Sequence, residues 1–61
     1  MNAQYKTIAQ TIKTRLDAIA ETGTIEQFDE VSKTGVDIAI TIEKTDPNFN
    51  TTEFIKILDI E

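Results

Sequence analysis

The sequence predicts an all-α domain: a helical hairpin over about residues 3–21 and 25–44, followed by a short C-terminal helix over about 51–60. Three observations predict it. Apolar residues recur at i, i+3, i+4 and i+7 through the first segment, the spacing of one face of a 3.6-residue helix. Residues with helix-start chemistry, Thr24 and Asn50, stand ahead of the second and third segments. The chain has 61 residues, which is one domain spanning 1–61, with no linker, repeat or low-complexity stretch.

The first helix rests on Tyr5, Ile8, Ala9, Ile12, Leu16, Ile19 and Ala20, which share one stripe, with Thr7, Thr11, Thr14 and Ala18 on the opposite side. Gly23 stands where a left-handed cap residue ends such a helix. The second helix opens with Thr24-Ile25-Glu26-Gln27, a capping box in which Thr24 and Gln27 satisfy free backbone N–H groups reciprocally. Ile25, Phe28, Val31, Ile38 and Ile42 then form its apolar face, and Glu26, Glu30, Lys33, Asp37 and Lys44 its polar one. Lys33 is placed to pair with Glu30 and Asp37.

Residues 36–42, Val-Asp-Ile-Ala-Ile-Thr-Ile, also alternate as a β-branched strand would. A lone strand has no partner in an otherwise helical chain unless it pairs across a dimer, so the helix is the preferred reading. Within that helix Ser32, Gly35 and Ala39 make a small-residue notch, suited to close approach of the first helix or of a symmetry mate. Val36 and Ile40 fall at the edge of the apolar face, partly exposed.

Asp46-Pro47 ends the second helix, because a residue before proline avoids the helical region. Asn50 caps the third, Glu53 completes a second box, and Phe49 and Phe54 hold the positions of a hydrophobic staple. Ile55, Ile57, Leu58 and Ile60 make this last helix strongly apolar, so it must bury against the hairpin or another subunit.

Composition narrows the function. A domain this short buries only about 60% of its unfolded surface and needs help to be stable. With no cysteine and no histidine, disulfides, thiolate zinc sites and the commonest acid–base catalyst are excluded. Self-association or docking on a partner remains, and a homo-oligomer is expected. Residues 1–15 carry +3, residues 16–46 carry −6 and residues 47–61 carry −2, for a net charge of −5. That balance disfavours nucleic-acid phosphates and suits either solubility alone or a basic partner surface. Two lysines and Tyr5 on the first helix are too little to reverse it. The N-terminal stretch has no apolar signal core and no run long enough to span a bilayer, so a cytoplasmic protein with no membrane partner is expected.

No motif supports catalysis or a cofactor. Asp46 to Glu53 spaces oxygen-bearing residues as a calcium loop does, but Thr51 replaces the turn glycine and Ile57 the bidentate glutamate. Glu26 and Glu30 sit on a polar helix face beside Lys33, the place of solvated carboxylates rather than an acid–base pair. Ser32-Lys33 has no histidine or glycine-rich loop near it. The expectation is a non-enzyme with no metal and no cofactor.

Asp46-Pro47-Asn48-Phe49-Asn50-Thr51-Thr52-Glu53-Phe54-Ile55 is similar to the C-terminal signature N-P-x-F-D-x-x-x-F-L of small uncharacterised proteins from tailed phages and prophages. Pro47, Phe49 and Phe54 match in register, Ile55 stands for leucine, Asp46 for asparagine and Asn50 for aspartate. The Ala/Cys-Gly ending common in that group is absent. The resemblance implies a phage accessory protein and a helical reading of residues 25–44; it carries no functional residues.

The reading that follows is a non-enzymatic, phage-type accessory protein. It binds and modulates a host protein or defence complex through an acidic helical surface, in the host cytoplasm. Asp17, Glu21, Glu26, Glu30 and Asp37, with the Val36/Ile40 edge, are the candidate contact residues. The alternatives are a structural or assembly protein acting as a homo-oligomer, and a small transcription regulator or antitoxin-like protein.

Overall fold

A computed structural model describes residues 1–60. Three helices follow in order, α1 (Ala3–Thr22), α2 (Ile25–Thr45) and α3 (Thr51–Leu58), with α1 and α2 forming the hairpin. Residues 36–42 lie inside α2, and no strand occurs among the described residues. A β-branched run is thus helical here. Helical spacing lets Ala39 join the core, whereas a single strand would leave its backbone groups unpaired.

The caps set the helix starts. Asn2 accepts the Gln4 N–H at 2.7 Å and opens α1. At α2 the box closes in both directions: Thr24 Oγ1 accepts from Gln27 N at 3.1 Å, and Gln27 Oε1 accepts from Thr24 N at 2.9 Å. Asn50 Oδ1 accepts the Glu53 N–H at 3.0 Å and opens α3. The Glu53 carboxylate does not return to this cap. It lies 3.6 Å from the N-terminal ammonium and 4.0 Å from Lys6 Nζ, and so ties α3 to the start of α1.

The core is small: Ala9, Leu16, Ala39, Phe49, Phe54 and Leu58. Phe49 packs against Phe54 with the rings tilted and 5.4 Å apart, as the staple predicts, and meets Tyr5 edge-on at 5.0 Å. The Tyr5 hydroxyl donates to Asp46 Oδ2 at 2.8 Å, joining the start of α1 to the end of α2. Helix α3 runs from beside Met1 and Lys6 to the middle of the hairpin, where Asp59 lies 3.6 Å from Lys13 Nζ. There the notch in α2 receives it. A Cβ added at Gly35 would stand 2.8 Å from Leu58 Cδ1 and 3.4 Å from Ile12 Cγ2. The neighbours admitted are thus α3 and α1 together, with no symmetry mate required.

Four local expectations change. Gly23 is extended (φ −99°, ψ −165°) rather than left-handed, and its N–H bonds Ile19 O directly. The left-handed residue is Asp59 (φ 56°, ψ 45°), which stops α3 at Leu58, before Ile60. Ile25 is 89% exposed instead of lying on the apolar face. It is the first residue of α2, at the hairpin corner, and α3 is too short to reach that end. Lys33 pairs at 2.9 Å with Asp29, not with Glu30 or Asp37. An i−4 acid N-terminal to a lysine is the better-oriented partner.

Candidate functional site

Carboxylates dominate the surface, and intramolecular pairing sorts them. Asp17 is held by Lys13 at 2.9 Å, Asp29 by Lys33, Asp59 by Lys13, and Glu53 by Lys6 and the N-terminal ammonium. The bonds to Asp17 and Asp29 raise the pKa values of Lys13 and Lys33 respectively, since each partner stabilises the ammonium. Asp46 accepts from Tyr5 and from the Asn48 N–H, and Glu43 accepts from Thr51. In the calcium-loop-like segment Asp46 therefore serves a turn and Asn50 a cap, while Thr51 reaches back to Glu43 and Glu53 to the start of α1.

Among the described residues, Glu21, Glu26, Glu30 and Asp37 have no ion-pair partner within 4.0 Å, and all four are exposed. Three of them are on α2. At about 100° per residue, Glu26, Glu30 and Asp37 fall on a single ridge about 16 Å long. Lys33 lies among them but is engaged by Asp29.

That ridge borders a groove between α1 and α2. One section, about 490 Å³, is lined by Ile12, Ala18, Val31 and Gly35 with Thr11, Thr14 and Thr34, and by Arg15. A contiguous section toward the hairpin loop shares Arg15, Ala18 and Val31 and adds Glu26 and Glu30. No α3 residue lines either section. The threonines make the groove less polar than their names suggest. Thr11 donates to Thr7 O, Thr14 to Gln10 O and Thr34 to Glu30 O, each at 2.9 Å, so these hydroxyl protons are spent inside their own helices.

The predicted contact residues therefore do not form one surface. Glu26 and Glu30 line the groove and Asp37 continues their ridge. Asp17 is ion-paired, Glu21 lies on α1, and neither lines the groove. Val36 is half-buried and Ile40 is 43% exposed, but both lie outside the groove lining. Sequence reasoning missed Arg15, Thr14, Ala18 and Thr34 as groove residues. The available signal was the row of short side chains Thr7, Thr11, Thr14 and Ala18, a low wall that leaves room beside α1.

Comparison with protein-family models, curated proteins and solved structures finds no match. The site's chemistry must therefore speak for itself. It offers carboxylates, one guanidinium and an apolar floor. The groove lining contains no cysteine or histidine and no cluster of acids enclosed around one point.

Proposed function

We propose that this chain is a non-enzymatic accessory protein, of the phage type its C-terminal segment resembles. It binds and modulates a host protein or defence complex through the acidic face of α2. The observation that carries the reading is the ridge of Glu26, Glu30 and Asp37, exposed and without an ion-pair partner within 4.0 Å among the described residues, since Lys33 on the same ridge is held by Asp29. Three like charges on one helix face repel one another, and Lys33, already engaged by Asp29, offsets only part of that. A basic partner surface supplies what they lack. Such a contact steers association and depends on salt.

The test is affinity capture from the natural host with two baits, the native protein and the triple variant Glu26→Gln, Glu30→Gln, Asp37→Asn. A host protein held by the native bait, released by high salt and absent from the variant supports the reading. Equal capture by both baits contradicts it. The second reading is an assembly protein acting as a homo-oligomer. It draws on Ile25, Ile40 and Ile8, which are 89%, 43% and 39% exposed. Sedimentation over a range of concentrations separates the two, because only assembly gives a mass that grows with concentration.

A further inference from the structure

We infer that the α1/α2 groove is the docking site for one amphipathic helix of a partner, apolar on the face that enters and basic along the flank lying over α2. This rests on the protein-binding reading above and names the kind of element bound. The floor formed by Ile12, Val31 and Gly35 is apolar, Ala18 continues it onto the low wall of α1, and the hydroxyl protons of the threonine walls are already used. Such a trough asks for side chains rather than for extended backbone, which would find few free partners there. The two sections together follow α1 from Thr11 to Thr22, about 16 Å, the length of a three-turn helix. Helices seated in grooves present anchors at i, i+3, i+4 and i+7 over this length.

Charge decides among occupants. One rim carries Glu26 and Glu30, and the other carries Arg15, which has no ion-pair partner within 4.0 Å among the described residues. A partner helix with lysine or arginine over α2, and a neutral or acidic residue over Arg15, complements both rims. A second copy of the chain does so poorly: it brings the same ridge and another net charge of −5. The rims also fix the direction in which the partner lies.

The probe is a fluorescent 14-residue helical peptide with leucine and alanine on one face and lysine on one flank; the control is oligolysine of equal charge. The protein is tested as native, as the groove-filled variant Ala18→Gln with Thr34→Gln, and as the rim variant Glu26→Gln with Glu30→Gln. Both variants change exposed positions, and circular dichroism verifies that each remains helical. The helical peptide should bind at least about tenfold more tightly than oligolysine, and each variant should weaken it about tenfold. If filling the groove changes nothing while neutralising the rim abolishes binding, the groove proposal falls and the acidic-face reading stands. If neither peptide binds at low salt, both fall. A native dimer that the groove-filled variant dissociates would assign the groove to a second copy and overturn the proposal as well.

Discussion

Gly35 and Tyr5 each hold a contact between helices far apart in sequence. At Gly35 two effects oppose each other. Replacing a mid-helix glycine by alanine favours the helix by about 1 kcal/mol. The added Cβ, however, would stand 2.8 Å from Leu58 Cδ1, and Leu58 is fully buried with little space to move into. Overpacking of this kind costs about 1–3 kcal/mol, so Gly35→Ala should lose about 1 kcal/mol net in urea denaturation. Trimming Leu58 should cost less in that background than in the native one. At Tyr5, the hydrogen bond to Asp46 raises the phenol pKa, with desolvation and the Asp46 charge acting in the same direction. A folded-state pKa above the unfolded value of about 10 means the contribution is complete below pH 10. It is lost as pH rises through the raised value. Lys13, also raised, loses its contribution over the same alkaline range. Thermal melts should therefore decline above pH 10. Tyr5→Phe should melt lower at neutral pH and decline less steeply in alkali, since only the lysine part remains.

Each helix takes its start from a cap within three positions of it, and its end from the residue that follows it, Gly23, Asp46 or Asp59. Thr24→Ala should cost about 1 kcal/mol globally, because α2 belongs to the hairpin and its box closes in both directions. Asn50→Ala removes a similar bond from an eight-residue helix. Its effect should appear first as faster amide exchange over Thr51–Leu58, with α1 little changed. The short range of cap chemistry also explains what the sequence could reveal. The starts at Thr24 and Asn50 and the Phe49/Phe54 staple were legible, because caps and staples are short-range chemistry. The exposure of Ile25 was not, since it depends on how far α3 reaches along the hairpin. The end of α3 at Asp59 was hidden too: an aspartate in left-handed conformation is uncommon, and Ile60 prolonged the apolar pattern. Lys33 had three acids in reach, and periodicity alone does not rank them.

The whole molecule measures 36 × 18 × 16 Å with a radius of gyration of 11.5 Å, against about 10.5 Å for an average fold of this length. Its accessible surface of 4377 Å² likewise exceeds the roughly 3,950 Å² usual for its mass. Both follow from a hairpin that α3 covers along only part of its length. The open groove is the consequence. It escaped the sequence because it belongs to neither helix alone; its walls are threonines that read as a solvated face, and its rims are a ridge of α2 and a single arginine of α1. Acidity was legible as composition, while the separation of paired from unpaired acids required the positions of Lys13 and Lys33. Among the described residues, no helix is long and apolar enough to cross a membrane. The most direct test is backbone amide chemical-shift mapping of the native protein titrated with the basic amphipathic peptide. Binding through the groove predicts saturable shifts concentrated in residues 11–18 and 26–35, with Thr51–Leu58 nearly unmoved. Shifts centred on α3, on Val36 and Ile40, or spread evenly over every acidic residue would contradict it.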